Sequence, residues 1–389
     1  MLKKRRVAVA IDLSVPMRHH HDVFAGIQRY AKERAEWECI VLPFVSTIQS
    51  VPGQASYDGI IARATAELAI QASKTSVPAV NVWSGSPAKA LPSVWPDYEA
   101  AGRMAAEHLL KRGFRQFAFQ GLLQHEGTRR ILAGFKAVLH AVKCRTSTLI
   151  ISARSDEDPR SWARYLGRLE RWIGKRNPPL GVFVVQDVFC RYVANACLQA
   201  GLHIPEDVAL IGCGNEPLIC THIEPSLSSF DLGFDRVGYE AASLLDRLMD
   251  GDPPPPAPIL IGPPELVFRH STDVYVADDP LVAAALRFIT EQSHNSIHVD
   301  DVAKHVHSSV RSLERHFQEA MGRTMSEEII RLRLERAKRL LIQSKEPIRQ
   351  VASDCGFSDA AYFHRVFMQV EKMSPREFRQ SKLRLKEEP

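Results

Sequence analysis

The 389-residue sequence lacks several things, and each absence removes a class of function. No apolar run approaches the roughly 18 residues that a bilayer-spanning helix needs, so no membrane partner is expected. Residues 1–14 pair a basic head with a short apolar run, but Asp12 interrupts it and no small-residue cleavage region follows. That pattern favours a strand over a signal peptide, and a cytoplasmic, nucleoid-associated protein is expected. The seven cysteines, at 39, 144, 190, 197, 213, 220 and 355, include no Cys-x-x-Cys. Scattered cysteines of this kind fit buried reduced thiols rather than a disulfide framework or a zinc ribbon. Gly-x-x-x-x-Gly-Lys-Ser/Thr, His-Glu-x-x-His and Gly-x-Ser-x-Gly are all missing, so the motifs for phosphate-cradling, zinc-protease and nucleophile-elbow chemistry are absent. No enzyme, catalytic residue or cofactor is expected. His19-His20-His21 is of metal-ligating type, but adjacent residues on one segment rarely point at one ion, and no metal site is expected.

What is present is an ordinary globular composition, 45% hydrophobic and 24% charged, in a chain too long for one core. Two or three domains are expected. Net charge is +5, and its placement matters more than its size: residues 281–389 hold 19 Lys+Arg against 15 Asp+Glu, residues 1–280 hold 31 against 30. The excess in the last quarter favours a polyanionic partner there. Upstream, short apolar strands (7–11, 39–44, 59–62, 79–83, 116–120, 148–152, 181–185 and 208–212) alternate with amphipathic helices (22–35, 99–111, 128–141, 159–173, 188–200 and 236–249). Continuous Val/Ile/Ala runs separated by helices imply parallel strands covered on both faces. Eight or more such strands fit an α/β domain of two doubly wound lobes over residues 1–273. The proline run 251–258 reads as a stiff surface loop, since strand-like 259–261 and 265–269 follow it. The boundary is placed in a linker at 274–280, ahead of an all-α domain over 281–389.

That last domain carries two helix-turn-helix patterns in tandem. In the first, residues 299–306 are followed by a turn and a second helix over 309–321. Ser308 or Ser309 suits the cap, and Val310, Leu313, Phe317 and Ala320 recur at helical spacing as a buried stripe. Arg311, Ser312 and Arg315 then face outward; an arginine fork fits guanine O6 and N7, although a solvated helix face also carries arginines. The second pattern runs Ile348-Arg-Gln-Val-Ala-Ser-Asp-Cys-Gly-Phe357, with Ser358 as cap, Phe363, Val366, Phe367 and Val370 inward, and Ala361, His364 and Arg365 outward. Arg315 and Arg365 occupy equivalent places. Between the patterns, 325–343 has no Gly or Pro and predicts a helix of about 28 Å, a rod suited to holding two recognition helices about 34 Å apart, one DNA turn.

Residues 281–380 resemble the DNA-binding domain of the arabinose-operon regulator (AraC) family. The matching residues are Arg333-Leu-x-x-Ala337-x-x-Leu340-Leu341-x-x-Ser344, Ile348, Val351-Ala352, Cys355-Gly356-Phe357, Phe363-x-Arg365-x-Phe367 and Ser374-Pro375-x-x-Phe378-Arg379. The resemblance implies base contacts at Arg311, Arg315, Ala361 and Arg365, and phosphate contacts at the helix starts, Ser309 and Ser358. Two departures bear on the second unit. Lys372 stands where the family has glycine, and Ala361 offers only a methyl group, suited to thymine or to shape.

The front of the chain resembles the periplasmic-binding-protein-like core of the lactose-repressor (LacI) family. The resemblance rests on the helix preceded by Asp97 and closed by Gly113, on Leu132-Ala-Gly-Phe135, Gln186-Asp187, Gly201-Leu-His-Ile-Pro-Glu-Asp-Val-Ala-Leu-Ile-Gly212 and Gly238-Tyr-Glu-Ala-Ala242. In that family the DNA reader precedes the core, whereas here a reader of the other family follows it. The joined layout resembles the xylose-operon activators of enteric bacteria and implies a sugar-responsive regulator with D-xylose as effector. Such folds bind ligands beyond the carboxyl ends of their strands, which selects Asp12, Trp83, Arg129 or Arg130, Asp187 and Asn215 as candidate effector contacts; for each, a cap or salt bridge is the competing reading. Gly214 replaces the family's usual aspartate, and Ile131 its usual arginine. The expected partners are double-stranded operator DNA, a monosaccharide, RNA polymerase and a second copy of the chain, with the ligand closing the lobes and changing the relation between the paired DNA readers. Two other readings stay open: a front domain that only dimerises or senses another sugar, and a sugar-binding receptor or enzyme with an accessory domain.

Overall fold

The computed structural model describes residues 4–14, 18–34, 37–43, 57–75, 77–152, 159–262, 264–274, 276, 279–344 and 346–380. The chain divides into two compact units, Met1–Asp273 and Val274–Pro389.

The first unit opens with β1 (Arg5–Ala10), α1 (Arg18–Arg34), β2 (Trp37–Leu42), β3 (Gly59–Ala62), α2 (Ala66–Thr75) and β4 (Ala79–Asn81). Its strands form a parallel sheet in the order β2-β1-β3-β4. Side chains alternate across the sheet, as the pleat requires. Val7 and Val9 join Val23 and Ile27 of α1 in one core, while Ala8 and Ala10 join Leu68 and Ala72 of α2 in another. Both faces are therefore dry, and the apolar run of β1 has no polar side to show.

β5 (Val94–Pro96) leads out of this lobe into α3 (Tyr98–Lys111), β6 (Gln116–Leu122), α4 (Glu126–Ala141), β7 (Thr146–Ile151), α5 (Pro159–Gly174), β8 (Leu180–Val184), α6 (Asp187–Gln199), β9 (Val208–Cys213), α7 (Pro217–Cys220) and β10 (Ser228–Asp231). α8 (Phe234–Met249) returns to pack on α1, β11 (Ile259–Ile261) pairs with β5, and β12 (Glu265–Val267) ends as the antiparallel edge of the second sheet. That sheet has the order β12-β10-β9-β8-β6-β7. Three chain segments thus pass between two lobes, an arrangement that lets a cleft open and close. Asp97 caps α3 by accepting from the Ala100 N–H at 2.8 Å, and Gly113 ends it at φ 88°. α3 and α4 cross at Gly102 and Gly134, where a Cβ would stand 2.0 Å from the Ile131 carbonyl oxygen and 2.1 Å from that of Glu99.

Several expectations need correction. The strand expected over 79–83 stops at Asn81, and that over 265–269 stops at Val267. Position 44, the expected end of β2, lies outside the described residues. The proline run 251–258 is surface coil, as expected, and no disulfide joins any of the seven cysteines, five of which are buried.

The second unit comprises α9 (Pro280–Gln292), α10 (Val299–His305), α11 (Val310–Met321), α12 (Met325–Gln343), α13 (Ile348–Asp354) and α14 (Ala360–Glu371). Asp279 caps α9 by accepting from the Leu281 N–H at 2.8 Å, while 275, 277 and 278 of the expected linker lie outside the described residues. Two separate cores sit side by side: Val282, Leu286, Val302, Leu313 and Phe317 in the first, Val351, Phe357, Phe363, Phe367 and Phe378 in the second. α12 belongs to both, giving Met325, Ile329 and Leu332 to the first and Leu334, Ala337 and Leu341 to the second.

Candidate nucleic-acid interface and ligand cleft

Helix α11 starts at Ser309, whose hydroxyl accepts from the Ser312 N–H at 3.2 Å. Leu313 and Phe317 are fully buried, Arg311 and Arg315 are exposed, and Ser312 is half-buried beside them. The buried stripe is narrower than the spacing suggests, because Val310 and Ala320 are exposed. Arg315 Nη2 lies 3.5 Å from His316 Nε2, and His316 Nδ1 lies 2.6 Å from the Asp279 carboxylate.

The second recognition helix, α14, is capped by Asp359 rather than Ser358. The Asp359 carboxylate accepts from the Ala361 and Tyr362 N–H groups at 2.7 and 2.9 Å, and Ser358 stands exposed one residue outside. A carboxylate caps well and also complements the positive helix end. Those two N–H groups are consequently occupied, and the exposed Ser358 hydroxyl stands beside them where a phosphate would approach. Phe363 and Phe367 point inward and Val366 packs partly beside them, but Val370 is 54% exposed. Ala361, His364 and Arg365 form one outward face, and the Arg365 guanidinium lies 5.5 Å from the Tyr362 ring centroid, held along its own helix.

Lys372 ends α14 at φ 59°, where the other recognition helix, α11, ends on Gly322 at φ 67°. The left-handed conformation costs a residue with a Cβ about 1–2 kcal/mol, which explains the glycine usual at this place. Lys372→Gly is expected to stabilise the DNA-binding unit by about 1 kcal/mol, after the extra unfolded-state freedom of glycine is subtracted. Denaturant unfolding checks it, and an unchanged or lower midpoint would count against the strain.

The cleft of the first unit gathers around a residue that no motif marked, Arg63, just beyond β3. Its Nη1 lies 2.9 Å from His20 Nε2, and its guanidinium stacks 4.9 Å from the Trp83 ring centroid. His20 Nδ1 is 2.7 Å from the Asp12 carbonyl oxygen. A carbonyl only accepts, so Nδ1 carries the proton and Nε2 accepts from Arg63, fixing a neutral tautomer. Burial, then the neighbouring charges, holds His19 down to about 3. His125 is lowered as well, by desolvation first and then by Arg63, although part of its ring is exposed. Burial pushes the Tyr98 phenol up. Burial lowers Arg63 itself, and among the described residues no carboxylate stands within ion-pair distance of it.

The expected effector residues fall in three places. Asp12 and Trp83 belong to the Arg63 cluster, where one Asp12 oxygen accepts from the Ser14 N–H and hydroxyl at 2.9 and 2.6 Å. Asn215 lies at the second lobe's rim, its side chain held between Asp231 at 3.2 Å and Arg269 at 2.8 Å, and its carbonyl accepts from Arg18 of the first lobe. Asp187 sits beneath that rim and is buried. Its oxygens accept from the Ser229 hydroxyl at 2.6 Å and the Glu216 N–H at 2.8 Å, so it braces the lobe instead of facing the cleft. Arg129 and Arg130 both pair with Glu126, each at 2.7 Å, and line a different cavity of 370 Å³ by the hinge with Lys89, Trp95 and Pro258. None of Asp12, Trp83, Asp187 or Asn215 lines that cavity. Arg63, Tyr98 and His125 escaped the sequence reading, which noted His20 only within a metal-type histidine run. Arg63 carried one usable signal, its position at a strand's carboxyl end.

Residues 106–272 match the periplasmic binding protein-like domain family, and residues 302–381 match a helix-turn-helix domain. The xylose operon regulatory protein of Haemophilus influenzae is 29% identical over 368 residues, 93% of this chain and 95% of its own length. Its counterpart from Escherichia coli K12 is 31% identical over 272 residues, 70% of this chain and 69% of its own length. A solved xylose-binding transcription activator superposes with a TM-score of 0.63 at 27% identity, covering 98% of this chain and 99% of that one. A ligand cleft in one unit and paired DNA readers in the other make this a sugar-responsive, DNA-binding transcription regulator. The chain belongs to the family of the xylose operon regulatory proteins.

Proposed function

We propose that the chain activates a pentose-utilisation operon in response to D-xylose, which binds between the lobes against Arg63, Trp83, Tyr98 and His125. The observation that carries this reading is the joint one: relatives named for xylose align with nearly the whole chain, and the cleft offers fixed donors beside an aromatic face. Guanidinium and imidazole groups bond sugar hydroxyls, and an indole face covers sugar C–H surface. The ligand favours the closed lobes by touching both, and DNA affinity shifts through that difference in binding. DNA is read by Arg311, Arg315, Ala361 and Arg365, flanked by Ser309, Ser312, Ser358 and His364. A homodimer that contacts RNA polymerase completes the proposal, since each protomer covers one pair of major-groove segments.

Thermal melting of the full chain with D-xylose, L-arabinose, D-ribose and D-glucose tests the effector. Ligand at about 100 times its Kd adds about 2.7 kcal/mol, a rise of several degrees for a domain of this size. A larger rise with another sugar reassigns the effector, and no rise with any pentose removes the sensing role.

A further inference from the structure

Among the described residues, the two helix-turn-helix cores of the second unit do not merge, and α12 alone gives residues to both. A helix shared by two cores fixes their separation along its axis but not their rotation about it, so a second contact must keep the two recognition helices in register. Arg333, in the middle of α12 and only 8% exposed, is placed to do so. Its Nε donates to the Ser293 carbonyl at 2.9 Å, and its Nη2 donates to the Asn295 and Ile297 carbonyls at 2.8 and 3.1 Å. These carbonyls close the C-terminal end of α9 in the first half, where helix polarity favours a cation. The second half approaches the same loop from its own turn. Gly356, at φ 77°, lies so near that a Cβ there would stand 2.7 Å from both the Ser293 and Asn295 oxygens, and the Phe357 ring centroid is 6.0 Å from the Arg333 Cζ. Loop 293–297 is thus gripped by the guanidinium on one side and by the α13–α14 turn on the other.

We infer that Arg333 is a positioning residue that locks the two DNA-reading helices of one chain into a single body, so that their spacing stays fixed whatever the sensor binds. Effector control then acts on the placement of the whole reader pair, not on the distance inside it. Lysine cannot replace this arginine, because a point charge does not span three carbonyls as a planar fork does.

The test uses the full chain with spin labels on genetically encoded ketone side chains at Glu319 and Gln369, both exposed, one on each recognition helix. Wild type should give one narrow distance distribution, identical with and without D-xylose. Arg333→Lys and Arg333→Gln should broaden it roughly twofold, as two halves freed to open locally against each other would. Two substitutions are used so that a variant whose circular dichroism shows misfolding leaves the other to decide. A parallel readout is binding to a duplex selected by wild type from a random pool, with about 2 bp inserted between the two contacted segments to rotate one by roughly 70°. Wild type should lose roughly 100-fold in affinity on that insertion, as a bivalent grip does when geometry forbids both contacts; the variants should lose less than about a tenth of that factor. An equal penalty in folded variants, or a wild-type distribution that is broad or shifts with D-xylose, overturns the inference. Failure of D-xylose to bind at all would count against the proposed effector alone, since the ligand-free comparison still decides the lock.

Discussion

Arg365→Ala is expected to weaken binding to a selected operator duplex by roughly 5- to 150-fold, the factor that 1–3 kcal/mol of base discrimination represents. The same change should relax the sequence preference at one base pair and leave the other positions intact. The side chain is exposed at the centre of the outward face of α14 and is already laid along that helix by Tyr362, so little rotamer freedom remains to be lost on binding. A phosphate-contacting arginine would behave differently, weakening all sequences alike and lowering the salt dependence by about one ion. Fluorescence anisotropy against the selected duplex and its single-base variants, at several salt concentrations, separates the two. Unchanged preference with a shallower salt slope would move Arg365 from the bases to the backbone.

The readers were visible in the sequence because their periodicity is short-range. Leu313 with Phe317, and Phe363 with Phe367, sit one turn apart and bury together, and their burial dictates that Arg315 and Arg365 face out. The errors there are of one residue or one turn. Ser358 and Asp359 are both good caps, and only the backbone at Asp359, extended at φ -153°, decides between them. Val370 fits the stripe by number, yet it falls on the last turn, past the end of the second core. The sensor's strands were legible where they are dry on both faces. β10 was not, because Ser228 and Ser229 are buried as polar residues, satisfied by Arg269 and Thr272 of one distant segment and Asp187 of another. The cleft was the least legible part, since Arg63, His20, Tyr98 and His125 come from four chain segments and meet only after the lobes form. Asp187 shows the converse: a carboxylate at a strand end looks like a ligand contact until the hydroxyl and the N–H that claim it are placed.

Arg63→Ala is expected to raise the Kd for D-xylose by roughly 10- to 150-fold, since a hydrogen bond from a charged donor contributes about 1.5–3 kcal/mol. Calorimetry on the full chain measures this, and wild-type affinity in the variant would place the sugar elsewhere in the molecule. Arg63→Lys should recover only part of the loss, because an ammonium neither stacks on Trp83 nor forks between two acceptors. Arg63→Ala also carries a second, independent signature in pH. Arg63 helps to hold His19, His20 and His125 below their ordinary range, so these rings are neutral in the folded protein when the unfolded chain begins to take up protons near pH 6.5. The unfolded state then binds more protons, and the stability these groups contribute is complete above that pH and declines as pH falls toward the folded value of about 3 for His19. Removing Arg63 lets all three rings titrate closer to their unfolded value, so the fall in melting temperature between pH 7 and 5 should become shallower than in wild type. A slope as steep as wild type would mean that burial alone keeps these histidines neutral, and the guanidinium would then serve only to hold the ligand.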